Sequence, residues 1–179
     1  MLPEKEILAD KRIILVDIND NVIGYGEKME IHKQGKLHRC FSIVVINNKK
    51  ELLLQRRAKN KYHCGGLWSN TCCGHPYPKE DVEDGAHRRL KEEMGFDCPL
   101  KKLTVFHYQA KFDNGLTENE IDHLFIGEYN GEVNPDPKEV GEIKWTKLET
   151  LKNDIARNPK EYTPWFKIIV SKHLKNLFL

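Results

Sequence analysis

The sequence of 179 residues lacks long apolar runs, a strong excess of either charge, internal repeats and biased tracts. No stretch approaches the roughly 20 apolar residues of a membrane-spanning helix, and no apolar segment follows a basic N-terminal segment as in a secretory signal. Lys and Arg number 29 against 27 Asp and Glu, so composition does not indicate nucleic acid or an anionic membrane as a partner. Without a linker, residues 1–179 are expected to form one domain that buries a proper core.

The five cysteines are Cys40, Cys64, Cys72, Cys73 and Cys98. An odd number without a secretory signal predicts reduced thiols in a cytoplasmic protein. The adjacent pair Cys72–Cys73 is not a zinc knuckle, because no second cysteine pair stands at ligand spacing.

Thiol, imidazole, carboxylate and guanidinium side chains are concentrated in one segment. It begins at Thr71-Cys72-Cys73-Gly74-His75-Pro76 and ends at Gly95. Five residues separate Gly74 from Glu80, seven more lead to Arg88, and Arg89-Leu90-Lys91-Glu92-Glu93-Met94-Gly95-Phe96 follows. This spacing resembles the Nudix box, G-x5-E-x7-R-E-U-x-E-E-x-G-U. One position departs from it: Arg89 stands where the box has its first helix glutamate. That change argues against ordinary Nudix hydrolysis.

Together with the Thr-Cys-Cys-Gly-His-Pro start, the chain resembles the type I isopentenyl-diphosphate isomerases over about residues 26–166. The resemblance implies an α/β (α+β) fold, in which a Nudix-type mixed sheet is flanked by helices and carries an extra N-terminal hairpin and C-terminal helix. It also implies interconversion of isopentenyl and dimethylallyl diphosphate, through a tertiary carbocation, in isoprenoid biosynthesis. The expected partner is a small prenyl diphosphate, with no nucleic acid and no membrane; the oligomeric state stays open.

Residue patterns predict most of the elements independently of that resemblance. Alternating or β-branched apolar runs predict strands, and apolar residues at four-residue spacing predict a helix from Asp81 to Met94 that ends before Gly95. Glu27–His38 is interpreted as a polar connection. The other predicted strands are Ile13–Ile18 and Val22–Gly26 as a hairpin, Cys40–Ile46, Glu51–Gln55, Leu103–Phe112 and Glu142–Trp145; Leu148–Asn158 is a further helix, and Pro164 opens the last one.

Three histidines and two glutamates are candidates for a metal site. On their segment alone, His32 and His38 are more simply solvated loop histidines. Glu118 and Glu120 lie two residues apart, so on a strand both carboxylates face the same side. They would raise one another's pKa unless a cation neutralised them, although an exposed acidic turn is the simpler alternative. The resemblance implies that His32, His38, His75, Glu118 and Glu120 hold Mn²⁺, Mg²⁺ or Zn²⁺.

The resemblance also assigns a diphosphate site. It implies diphosphate contacts from Lys28, Arg57, Lys61 and Arg89, and a substrate-bound Mg²⁺ that is held by Glu93 with Cys73 nearby. Guanidinium groups bind phosphate bidentately, and lysine acts as a compact point charge. A solvated basic face and an ordinary Arg89–Glu93 pair at i,i+4 are the structural alternatives.

For the chemistry, Cys73 and Glu120 are the expected proton-transfer pair, and the resemblance implies that Tyr108 is the hydroxyl nearest Glu120. A thiol can donate or accept a proton if its surroundings shift its pKa, so the sequence leaves open which of the two is the acid. Trp165 is expected to stabilise the carbocation through its indole face, by about 2 kcal/mol or more when desolvated, unless it is simply a core residue. Cys72 and His123 are given no role.

Two other functions stay open. The first is a Nudix pyrophosphohydrolase acting on a nucleoside diphosphate derivative, which Arg89 disfavours and which has no use for Cys73. The second is a non-catalytic module that senses a diphosphate or a metal.

Overall fold

Nine strands and four α-helices make up residues 11–174, the part of the chain that the computed structural model describes. The strands are β1 Ile13–Val16, β2 Val22–Gly26, β3 His38–Ile46, β4 Glu51–Arg57, β5 Trp68–Ser69, β6 Cys72–Gly74, β7 Leu100–Lys111, β8 Thr117–Glu128 and β9 Val140–Lys147. The helices are α1 Lys28–Gln34, α2 Val82–Met94, α3 Leu148–Arg157 and α4 Pro164–Ile168, with a 3-10 turn at Pro159–Glu161 and a π-helical turn at Ile169–His173. None of these helices is long and apolar enough to cross a membrane.

Strand β3 is the centre of one mixed sheet. It pairs in parallel with β8 over nine consecutive residues, from His38 opposite Glu120 to Ile46 opposite Glu128. It also pairs antiparallel, at different points along its length, with β1, β6 and β4. Strand β7 extends the sheet beyond β8, β2 lies outside β1, and both β5 and β9 pair with β4. This arrangement confirms the predicted mixed sheet flanked by helices.

The two faces of the sheet are covered by different helices. Because side chains alternate along a strand, Val44 of β3 packs on one face and Val45 on the other. On the first face lie α3 and α4, with Phe166 fully buried; on the second lies α2, through Leu90 and Met94. Both faces of β3 are therefore removed from water, and the polar groups described below have to be satisfied inside the fold.

Most predicted elements are present, with ends that differ by a few residues. The hairpin of β1 and β2 is antiparallel, as predicted. Helix α2 begins at Val82, where the Asp81 side chain accepts a hydrogen bond from the Glu83 amide, and ends at Gly95, whose φ of 74° is left-handed. The ends of the predicted domain, residues 1–10 and 175–179, lie outside the described residues.

The interpretation of Glu27–His38 as a polar connection is wrong, because it contains helix α1. This helix has only seven residues, too few for a repeating apolar stripe, and it ends at Gly35 with a φ of 61°. Short helices depend on tertiary packing rather than on their own propensity, and here Ile31 and His32 are buried. Strands β5 and β6 were not predicted, since two and three residues show no alternation.

Candidate active site

Five side chains from four parts of the chain converge at the start of β3. His32, His38, His75, Glu118 and Glu120 each offer a nitrogen or oxygen atom, and these atoms lie within 4.8 Å of one another. The structure therefore brings together all five residues of the expected metal site.

Each ligand is positioned by the element that carries it. Glu118 and Glu120 lie two residues apart on β8 and project from the same face, as expected for a strand. The parallel register places His38 directly beside Glu120. His32 comes from α1, and His75 follows β6, whose pairing with β3 brings it to the same place.

Two histidines are held so that their Nε2 atoms face the cluster. The Nδ1 atom of His32 lies 2.6 Å from the carbonyl oxygen of Lys28, and that of His38 lies 2.8 Å from the carbonyl oxygen of Lys36. Hydrogen bonds of this kind fix the ring orientation of metal-binding histidines. The His32 Nε2 atom is then 3.1 Å from Glu118 Oε2, and the His38 Nε2 atom is 3.2 Å from Glu120 Oε1.

Several atoms of the cluster are buried without a hydrogen bond. They are His32 Nε2, His38 Nε2 and Glu118 Oε2. Buried polar groups are normally paired, because an unsatisfied one costs about 1–3 kcal/mol or more. The pKa of His38 is raised to about 10, since contacts with Glu118 and Glu120 outweigh its burial. Unpaired nitrogen and oxygen atoms aimed at one point, among acidic groups, fit a divalent cation.

The expected catalytic residues surround one cavity. Cys73, Tyr108, Glu120 and Trp165 all contribute to its lining, and its volume is about 270 Å³. The Tyr108 hydroxyl donates a hydrogen bond to Glu120 Oε2, while His75 Nε2 lies 2.9 Å from Glu120 Oε1. Glu120 is therefore contacted on both oxygens.

Cys73 and Glu120 are in opposite protonation states near neutral pH. Burial raises the pKa of the Cys73 thiol to about 12, although the Arg57 guanidinium, 4.0 Å from its sulfur, opposes this. Burial and the neighbouring Glu118 disfavour the charged form of Glu120, but contacts from His38 and His75 lower its pKa to about 2. The thiol therefore carries a proton, and the carboxyl group does not.

The indole of Trp165 is fixed by hydrogen bonds that it donates to two side chains at the end of β5. Its Nε1–H donates to Ser69 Oγ at 3.0 Å and to Asn70 Oδ1 at 3.1 Å. The Asn70 amide in turn donates to the carbonyl oxygen of Cys72, at 2.6 Å. Trp165 is only 3% exposed, so its ring has a single orientation at the cavity.

The four basic side chains that are expected to contact a diphosphate also line the cavity: Lys28, Arg57, Lys61 and Arg89. Two of these are engaged by carboxylates: Glu139 contacts both Lys61 and Arg89. Arg89 also bonds Glu92, at 2.6 Å, and Glu93. Glu93 is buried and accepts a hydrogen bond from Gln55 Nε2 at 3.0 Å. Arg89 therefore forms the i,i+4 pair with Glu93 and also lines the cavity.

Sequence reasoning gave no role to several residues of this region. His63 lies 2.5 Å from Glu118 Oε1, and Glu139 lies between two of the basic groups. Ser69 and Asn70 hold Trp165, and the buried Asp122 accepts a hydrogen bond from Ser42 at 2.7 Å. Asp122 continues the Glu118, Glu120 alternation along β8, which is the one signal that could have identified it.

Comparisons with known proteins agree with this geometry. The family described as NUDIX domain matches residues 36–166. Isopentenyl-diphosphate Delta-isomerase 2 of Photorhabdus laumondii is 52% identical over 162 residues, which cover 90% of this chain and 92% of that protein. Isopentenyl-diphosphate Delta-isomerase of Burkholderia multivorans is 48% identical over 163 residues, 91% and 93% of the two chains.

The fold is shared more widely. A crystal structure from Deinococcus radiodurans superposes with a TM-score of 0.77 at 16% identity, over 91% of this chain and 99% of that chain. The MutT protein of Methanosarcina mazei gives a TM-score of 0.65 at 19% identity, over 80% and 96%. At these identities the similarity concerns the fold alone.

Proposed function

The chain belongs to the NUDIX domain family and, within it, to the isopentenyl-diphosphate Delta-isomerases, and we propose that its cavity interconverts isopentenyl and dimethylallyl diphosphate, a step of isoprenoid biosynthesis. This reaction adds a proton to the terminal carbon of an unactivated alkene, which leaves a tertiary cation. It then removes another proton from the carbon on the other side of that cation. It needs an acid, a base and protection of the intermediate cation from water. The observation that carries the proposal is that Cys73 and Glu120 line one cavity, where their surroundings raise the pKa of the thiol and lower that of the carboxyl group.

In the direction from isopentenyl diphosphate, Cys73 donates the proton and Glu120 removes one. The charges of the resting groups favour this order, because only the thiol has a proton to give near neutral pH. The Tyr108 hydroxyl donates a hydrogen bond to Glu120 Oε2 and keeps that carboxylate in place. The reverse reaction exchanges the two roles.

Trp165 faces the cation that lies between these two steps. An indole is electron-rich but does not attack a carbocation, and cation–π attraction is worth about 2 kcal/mol or more in a dry site. The hydrogen bonds from Trp165 to Ser69 and Asn70 prevent the ring from turning away.

His32, His38, His75, Glu118 and Glu120 would hold a divalent cation. Their mixed nitrogen and oxygen atoms suit Mn²⁺, Mg²⁺ or Zn²⁺. Such an ion, when bound, supplies positive charge that neutralises the two carboxylates and stabilises the ionised form of Glu120. The protein's own residues then orient Glu120 from both of its oxygens.

Lys28, Arg57, Lys61 and Arg89 would bind the diphosphate, which arrives with Mg²⁺ near Glu93. A diphosphate carries more charge than the single carboxylate of Glu139, so it competes successfully for Lys61 and Arg89. Pyrophosphohydrolysis is less well supported, because Arg89 stands where the Nudix box has its first helix glutamate, so the set of glutamates that would activate water is incomplete.

The chain acts, in this proposal, as a single domain with its core at about residues 26–166. Its five thiols, none of them paired in a disulfide, favour the cytoplasm.

One experiment separates the possible functions. The protein is incubated with isopentenyl diphosphate and Mg²⁺ in D₂O, and the products are identified by NMR and mass spectrometry. Deuterium in dimethylallyl diphosphate supports isomerisation. Released phosphate supports hydrolysis instead, and the absence of any reaction would leave a binding module.

A further inference from the structure

A sixth side chain, the buried His63, contacts the candidate metal site. It lies in the loop between β4 and β5 and is 6% exposed. Its Nε2 atom is 2.5 Å from Glu118 Oε1, whereas the other oxygen of that carboxylate, Oε2, faces His32 and His38 at 3.1 and 3.6 Å. The two oxygens of Glu118 are thus divided between His63 and the ligand cluster.

Aromatic rings on several sides fix the His63 imidazole. It stacks on Phe112 with ring centres 4.7 Å apart and planes 8° from parallel. The rings of Tyr62 and Trp165 meet it edge-on, with centres at 4.3 and 5.8 Å. These ring contacts orient the imidazole so that its Nε2 atom lies against Glu118 Oε1.

The loop that carries His63 is also tied to the proposed diphosphate site. The carbonyl oxygen of His63 accepts a hydrogen bond from Arg57 Nη2 at 3.3 Å. The same guanidinium lies 4.0 Å from Cys73 Sγ and 5.4 Å from the centre of the Trp165 ring. His63 therefore contacts a candidate metal ligand, the indole, and the arginine that lies beside Cys73.

We propose that His63 is a positioning residue for the metal site: it occupies Oε1 of Glu118 and leaves Oε2 as the oxygen that binds the cation. The inference rests on the proposed function, because it requires that the cluster binds a metal. A carboxylate free to rotate can bind an ion through one oxygen or both, and His63 removes that freedom. Groups that hold a ligand in this way typically contribute about 10- to 100-fold in metal affinity.

The test measures Mn²⁺ binding to the metal-stripped full chain by titration calorimetry. His63→Phe keeps a flat ring against Phe112 but removes the nitrogen, and we expect it to weaken binding by about 10- to 100-fold. His63→Gln places an amide nitrogen near the same point and should recover most of that loss. His107→Phe is the matched control. His107 is exposed on β7, and its Nε2 atom lies 2.8 Å from Asn119 Oδ1, outside the ligand cluster. The Mn²⁺ affinity of this variant should equal that of the wild type.

A second measurement distinguishes positioning from direct coordination. The absorption spectrum of the Co²⁺-loaded protein reports the number and type of ligands, and it should keep the same coordination number in His63→Phe. Loss of a nitrogen ligand from that spectrum would overturn the inference, as would wild-type Mn²⁺ affinity in His63→Phe when Glu118→Gln has lost binding. If the wild type itself bound no Mn²⁺ and did not isomerise its substrate, the proposed function would fail instead.

Discussion

Cys73 and Glu120 illustrate how surroundings push the pKa values of two ionisable groups apart. Neither is unusual by residue type, and the sequence left open which is the acid. Burial raises the pKa of the thiol in spite of the neighbouring Arg57 guanidinium, whereas two histidines lower that of the carboxyl group. Pairs of groups whose pKa values are pushed apart are typical of acid and base assignments in active sites.

The first prediction concerns this pair. Cys73→Ala and Glu120→Gln should each lower turnover of isopentenyl diphosphate by at least about 10²- to 10⁴-fold, the usual contribution of a positioned acid or base. Diphosphate affinity, measured by calorimetry with dimethylallyl diphosphate, should change little in Cys73→Ala. Cys98→Ala is the control, because Cys98 packs beneath the other face of the sheet. Turnover near that of the wild type in either variant would contradict the assigned role.

A second prediction concerns Trp165. Trp165→Phe keeps an aromatic ring but loses the hydrogen bonds to Ser69 and Asn70, and it has a weaker π-face. We expect kcat to fall by about thirty-fold, equivalent to about 2 kcal/mol, with a much smaller change in substrate affinity. Trp145→Phe on β9 serves as the control. Equal losses in kcat and affinity would instead indicate that Trp165 only packs the core.

At the scale of elements, the sequence predicted the helices and strands that are long enough to show several repeats of an apolar pattern. Helix α2 has four apolar positions at four-residue spacing and both of its end signals, and the longer strands alternate or are richly β-branched. Helix α1 and strands β5 and β6 are too short for either signal. Their conformations are imposed by neighbours: α1 packs Ile31 and His32 inward, and β6 is held by pairing with β3.

Helix α1 therefore supports a prediction of its own. Gly35 ends it with a φ of 61°, which costs about 1–2 kcal/mol for a residue with a Cβ. Gly35→Ala should lower the free energy of unfolding by about that amount and also weaken Mn²⁺ binding a few-fold, because the helix presents His32. Gly115→Ala adds similar strain, at a φ of 82° and in open space. It should destabilise the fold comparably while leaving Mn²⁺ affinity unchanged; equal effects on metal binding would contradict the role of α1.

At the scale of the whole molecule, the proposed metal site predicts a link between cation binding and stability. An ion that binds only the folded state adds about 2.7 kcal/mol at a hundred-fold excess over its Kd. For a chain of this size, Tm should therefore rise by about 5 to 10 °C with Mn²⁺ and fall again with a chelator. Glu118→Gln should abolish the rise. A Tm that does not respond to metal in the wild type would argue against the site.

A last prediction concerns pH. Burial, reinforced by the charge of Glu120, raises the pKa of Asp122 to about 8 in the metal-free fold. Between about pH 4 and 8, this group is protonated when folded and ionised when unfolded. Its contribution to the free energy of unfolding therefore decreases as pH rises, by up to about 1.4 kcal/mol per pH unit. Asp122→Asn should remove this slope in urea titrations of the chelated protein; parallel curves for both proteins would contradict the shift.

The site was predictable where residues follow a spacing and not where they meet only in space. The Glu118, Glu120 alternation and the run from Gly74 to Gly95 are readable in the sequence. The contacts of His63 and Glu139 are not, because they join residues 55 and 78 positions apart (118 − 63 and 139 − 61) through loops that show no periodicity.

The parallel pairing of β3 with β8 has a consequence for biosynthesis. As the chain leaves the ribosome, His32 and His38 emerge long before Glu118 and Glu120. Strand β3 cannot pair with β8 while β4, α2 and β7 are still being synthesised. No nascent fragment that stops short of β8 can capture a cation in the finished geometry. Loading of the ion is therefore expected only after translation of the central part of the chain is complete.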